Sequence, residues 1–306
     1  MVRLLWITGL AVVALCGCGQ MLAESIPAAA EPTPSSPART NQQTFQARGV
    51  VVEVEADGKT VRIRHDTIPG YMQSMTMPFE VKDTNELAGL EPGDAVAFRL
   101  IVTRTDGWID QVKKLAGPVA DAPPTTGSFR LVRDVEPLKT GDSLPEYHFI
   151  NEQGRPFSTG QFKGQALAIN FLFTRCPFPT FCPLMANNFA ETQKKLLARK
   201  DAPTNWHLLT ISFDPEYDKP EVLKAYARSH GYAPERWTFA TGELIDITAI
   251  TEQLGQQFWH EPEGGISHNL RTAVIDASGR VQTNFVGNKW TTDRLVEEII
   301  KAALVK

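Results

Sequence analysis

Cys176 and Cys182 lie in the run Thr174-Arg175-Cys176-Pro177-Phe178-Pro179-Thr180-Phe181-Cys182-Pro183, and His268 lies far downstream in SHNLRTAVIDASGRVQTNFVGNK. A second group stands nearer the start: His65 and, in HDTIPGYMQSMTMPFEV, Met72, Met75 and Met77. Thioether sulfur and imidazole together select Cu(I) or Ag(I) over hard cations, and two thiolates with one imidazole accommodate Cu(I) and, with an added ligand, Cu(II). Five residues separate the cysteines, whereas two separate those of an ordinary thiol-exchange motif. The residues alone leave alternatives open. The cysteines could form a plain disulfide across a short loop, and the methionines with His65 could simply fill a core.

The elements that must position these donors follow two periods. From Phe45 to Leu115 the period is two, in five runs: Phe45–Glu55, Lys59–His65, Ser74–Lys82, Asp94–Thr103 and Gly107–Leu115. Asp57-Gly58 and Asp106-Gly107 supply hairpin chemistry. Met75, Met77, Phe79 and Val81 fall on one strand face, and His65 continues the face of Val61 and Ile63. Five short strands in a segment of this size predict a small barrel. A Pro-rich linker over 117–137 then leads to a second pattern. ALAINFLF and HLLTISF read as strands buried on both faces. Between them Met185, Phe189, Thr192 and Leu196 recur at helical spacing, so Cys182 opens a helix, where the helix dipole would favour its thiolate. Asp218 before Pro220 and Thr292 read as helix caps, and Ala277-Ser278-Gly279 reads as a hairpin turn. This order predicts an α/β domain over 138–306.

The 31 basic residues are outnumbered by 35 acidic ones, for a formal charge of −4, and form no dense run. A nucleic-acid partner is not expected. Residues 1–18 begin with Arg3, run through apolar Leu4–Leu15 and end in Cys16-Gly17-Cys18, which resembles a bacterial lipobox with Cys18 as the lipidated residue. Residues 19–44 have the composition of a solvated tether. The expected location is therefore outside the cytoplasm, on a membrane through a lipid anchor, facing the periplasm or cell exterior, and only Cys176 and Cys182 remain in the folded part.

With its Met-Thr-Met run and preceding histidine, the segment His65–Phe79 resembles the copper- and silver-binding CusF family. That resemblance implies an OB barrel and a Cu(I) site at His65, Met75 and Met77. The family's covering tryptophan is replaced by Met72, a possible third thioether ligand. From GDSLPEYHFINEQGRPFS onward the chain resembles the SCO/SenC family of thioredoxin-fold copper proteins, through its Thr-x-Cys-Pro, second Cys-Pro and distant histidine. This implies a Cys2His copper site at Cys176, Cys182 and His268, although the family commonly places three residues between its cysteines. The fold class expected is thus a five-stranded OB-type β-barrel followed by an α/β thioredoxin-like domain.

The function these resemblances imply is copper delivery to an apo-cuproprotein, such as the CuA site of cytochrome c oxidase subunit II. A thiol-disulfide oxidoreductase acting through Cys176 and Cys182 and a copper buffer for metal resistance are the rival readings. A linker of about 22 residues spans about 25 Å and holds the two domains at an effective concentration of about millimolar. No oligomeric state follows from the residues.

Overall fold

The computed structural model describes residues 42–115, 135–262 and 264–305. The export signal with Cys18, nearly all of the tether and most of the linker lie outside the described residues. The first folded part is built from β1 (Gln43–Val54), β2 (Thr60–His65), β3 (Met75–Glu80), β4 (Ala95–Val102) and β5 (Gly107–Lys114). They pair antiparallel in the order β3-β2-β1-β4-β5, and a bridge from Val81 to Ile109 joins the ends of the sheet. This is the five-stranded barrel expected from the period-two runs. Val61, Ile63 and His65 alternate inward on β2, opposite Phe79, Met77 and Met75 on β3.

The first hairpin turn behaves as its sequence suggests. Gly58 has φ +63°, and Asp57 accepts hydrogen bonds from the Lys59 and Thr60 amides. The second does not. Gly107 lies outside the positive-φ set, and the turn is held instead by Thr103 Oγ1, which accepts from the Asp106 amide at 2.9 Å.

The second folded part contains β6 (His148–Asn151), β7 (Pro156–Ser158), β8 (Ala166–Leu172), α1 (Cys182–Ala198), β9 (Trp206–Ser212), α2 (Pro220–Ser229), β10 (Trp237–Thr241), α3 (Leu244–Gln253), β11 (Phe258–His260), β12 (Ile266–His268), β13 (Arg271–Ile275), β14 (Val281–Val286) and α4 (Thr292–Ala303). The main sheet runs β14-β13-β8-β9-β10-β6-β7, with β8, β9 and β10 parallel; β11 and β12 form a separate hairpin. Both sheet faces are covered, which is why every residue of β8 and β9 is buried and most are apolar. Ala166 and Ala168 pack with Met185, Phe189, Leu223 and Ile299 from α1, α2 and α4, whereas Leu167, Ile169 and Phe171 pack with Ile247 and Ile250 from α3. The architecture is thioredoxin-like.

Two expected caps are corrected. The side chain capping α4 is Thr291, which accepts from the Arg294 amide, while Thr292 is already helical. Asp218 does not cap α2, whose preceding residue is Lys219. Its carboxylate is drawn away to the loop after β8 and the end of β9, where it meets three donors. Among the described residues no helix is long and apolar enough to cross a membrane.

Candidate metal centre

The chain leaves β8 at the point where β9 and β13 flank it on either side, the position at which open α/β sheets bind ligands. Two carboxylates from the β9–α2 loop fix the segment that follows. Asp218 accepts from the Thr174 amide at 3.0 Å, from the Thr174 hydroxyl, and from Ser212 Oγ at 2.5 Å. Asp214 pairs with the Arg175 guanidinium at 2.6 Å, and the same guanidinium lies over the Tyr217 ring at 4.2 Å. Cys176 is therefore held by anchors on the two residues before it. Cys182 is the first residue of α1, as its Cys-Pro dipeptide predicts.

His268 ends β12. Its Nδ1 is 2.8 Å from the Asn269 carbonyl oxygen, which can only accept, so Nδ1 carries a ring proton and Nε2 is the nitrogen turned towards the cysteines. That Nε2 lies 3.7 Å from Cys182 Sγ. The ligand atoms of Cys176, Cys182 and His268 all lie within 4.8 Å of one another, among the rings of Phe173, Phe181 and Phe213. The five-residue loop thus folds back far enough to bring both sulfurs to one imidazole, and both cysteines are free thiols.

The thiolate falls on the opposite cysteine from the one expected. Burial works against ionisation at both sulfurs. At Cys176 it is outweighed by hydrogen bonds from the Cys182 thiol and from His268, by the attraction of the His268 ring, and by the Cys182 amide, which hold it well below the ordinary thiol range. At Cys182 burial comes first and the neighbouring Cys176 charge adds to it, so this thiol stays protonated despite its place at a helix N-terminus. One negative charge fits a buried pair more readily than two.

The barrel donors show a parallel arrangement. His65, only 1 % exposed, is the cross-strand partner of Met75, and Met77 lies opposite Ile63. Its Nδ1 is 2.7 Å from the Asp66 carbonyl oxygen, which again puts the proton on Nδ1. Nε2 is left buried without a hydrogen-bond partner, and burial holds the ring below its ordinary pKa, so it stays neutral. A buried imidazole nitrogen without a hydrogen-bond partner, on a strand paired with the one that carries Met75 and Met77, argues against a plain core. Met72 comes from a turn closed by hydrogen bonds between the Ile68 and Met72 backbones, and it lines the same small cavity as Met75 and Met77.

Three features of the site had no readable sequence signal. Asp218 read as a cap, and Phe178 and Phe181 sit in a loop with no period to interpret. Ser267 became visible only through its partner, Thr76. The remaining histidines have no part in either donor set: His207 is bonded to Thr238, His230 packs on Tyr226, and His148 and His260 are exposed.

Residues 44–114 match the sequence profile described as copper binding periplasmic protein CusF. The SCO1 protein homolog of Bacillus subtilis is 27% identical over 164 residues, 52% of this chain and 82% of that protein. A putative copper-binding protein of Stutzerimonas stutzeri is 27% identical over 146 residues, covering 46% of this chain and 67% of the other. Among solved structures, a SCO1/SenC family lipoprotein from Bacillus anthracis is 28% identical with a TM-score of 0.48, covering 53% of this chain and 95% of that one. Residues 135–304, more than half of the sequence, match the SCO1/SenC profile, and the chain belongs to the SCO1/SenC family.

Proposed function

We propose that the chain is an exported copper chaperone, tethered to a membrane through a lipid on Cys18, that collects Cu(I) on its barrel and delivers copper to an apo-cuproprotein such as the CuA subunit of cytochrome c oxidase. Copper is the cargo, held by Cys176, Cys182 and His268 in the second domain and by His65, Met75 and Met77, with Met72 beside them, in the barrel. The observation that carries this reading is the convergence of two cysteine sulfurs and an imidazole nitrogen within 4.8 Å. Two sulfurs, one of them favoured as thiolate, and an imidazole nitrogen suit a soft monovalent ion without the further charge that a harder ion demands. The match of residues 44–114 to a copper-binding profile supports the barrel's part.

Cu(I) titration of the whole chain tests it. Two equivalents are expected to bind. One is lost in the Met75→Ala, Met77→Ala double variant and the other in the Cys176→Ala, Cys182→Ala double variant. Unchanged stoichiometry in both would sink the proposal.

The ionised Cys176 beside a protonated Cys182 also favours a second reading, thiol-disulfide exchange with the cysteines of a copper acceptor. Turnover with an acceptor disulfide in the absence of copper separates it from the first.

A further inference from the structure

The two donor sets do not occupy separate halves of the molecule. Met72, Met75 and Met77 of the barrel and Cys176 and His268 of the second domain line one cavity of about 10 Å³, which is room for a single small occupant. The seam around it is specific. The Thr76 amide donates to Ser267 Oγ at 2.7 Å, the Tyr71 hydroxyl donates to the Pro177 carbonyl at 3.1 Å, and Lys289 reaches Asp57 at 3.3 Å and Glu80 at 3.4 Å.

The loop between the cysteines supplies the knob of this joint. Phe178, 3 % exposed, meets barrel Phe79 at 5.9 Å between centroids and fills the space over Gly107, where a Cβ would lie 2.7 Å from its ring. Gly265 makes the other close approach. A Cβ there would lie 2.3 Å from the Ser74 carbonyl oxygen and 3.1 Å from Met75 Cβ and Cε. Met75 thus reaches the cysteine loop because two facing positions carry no side chain.

Building on the carrier reading above, we propose that the seam is itself a Cu(I) site, in which Cys176 Sγ and the Met75 and Met77 thioethers hold one ion jointly, and through which the ion passes between domains without entering water. An ion bound to His65 Nε2 and the two thioethers gains a bond to the Cys176 thiolate. The imidazole and thioethers then leave as neutral ligands while Cys182 Sγ and His268 Nε2 bind. Cys182 gives its thiol proton to water as its sulfur binds. Copper stays monovalent and no electron moves.

The test is ¹³C-methyl-methionine NMR of the full chain, titrated anaerobically with Cu(I). In the wild type the Met75 and Met77 ε-methyl resonances shift within the first equivalent. In Gly265→Ala, which wedges the seam and removes no donor, they stay in place until the second equivalent. Gly107→Ala, which wedges it against Phe178, gives the same delay. A first-equivalent methyl spectrum common to the wild type and both wedge variants would overturn the shared site, whether the resonances move or stay. Absence of any Cu(I) uptake by the wild type would overturn the carrier reading and the shared site with it.

Discussion

Cys176→Ala is expected to lower the Cu(I) affinity of the Cys–Cys–His centre by two to three orders of magnitude, the larger of the two major effects. Structural zinc sites of four donors are worth roughly 10–16 kcal/mol at neutral pH, or about 2.5–4 kcal/mol for each donor, and a soft Cu(I)–thiolate bond lies on the same scale. A loss of about 2.5–4 kcal/mol is a factor of about 10²–10³ in the dissociation constant. Cys176 carries this weight because it is the sulfur already ionised, so copper binds it without displacing a proton. The remaining Cys182 must still lose its proton in a site that keeps it protonated by burial. Competition with a Cu(I) chelator of known affinity measures the change. Because the barrel donors are untouched, total uptake in excess copper should show one strong site remaining. An affinity within tenfold of wild type at the Cys–Cys–His centre would mean that Cys176 is not a ligand.

His207→Gln is expected to flatten the pH dependence of stability by about 3 kcal/mol. His207 is only 7 % exposed, packs 4.7 Å from the Phe162 ring and shares a 2.8 Å hydrogen bond with Thr238 Oγ1. Burial, with the Arg236 charge adding to it, lowers its pKa from 6.5 to about 4. Between those values the unfolded chain binds a proton that the folded chain excludes. The ring's contribution is therefore complete above pH 6.5 and is lost as pH falls towards 4, by about 1.4 kcal/mol for each pKa unit. Glutamine can keep a hydrogen bond to Thr238 but does not titrate. Urea unfolding of both proteins at pH 7 and pH 4.5 reads the difference directly. A wild-type-minus-variant stability gap that is constant across this range would show that His207 is not held neutral by the fold.

Most of the frame was legible because its periods are strong. The alternation around His65, Met75 and Met77 placed three donors on one barrel face. The nearly unbroken apolar runs Ala166–Phe173 and His207–Phe213 marked covered strands, and Cys182-Pro183 marked a helix start. Other elements carry no such signal. Helix α3 buries Ile247, Thr248, Ala249, Ile250 and Thr251 in succession, so no polar stripe reveals its turn. Strands β7, β11 and β12 are three residues each, too short to show alternation.

The misread site residues share one cause, which is that tertiary partners outbid local rules. A helix N-terminus favours a thiolate at Cys182, yet a second sulfur and an imidazole move the charge to Cys176. Asp218 is well placed to cap α2, yet Thr174 and Ser212 offer it more donors. Gly107 has turn chemistry in its sequence but serves as clearance for Phe178. Nor could spacing disclose that the two sets of soft donors face the same cavity, since that depends on Ser267 and Thr76 meeting across 191 positions of chain.

The two imidazoles share a detail with a mechanical outcome. Each pins its Nδ1 to the carbonyl of the very next residue, Asp66 in one case and Asn269 in the other. Neither ring can rotate without breaking its own tether, so both stand as fixed posts. Methionine, with three rotatable bonds, is the side chain that can swing. Any travel of cargo between those posts is accordingly left to the methionines, and freezing their torsions should stall it even with every ligand atom still present.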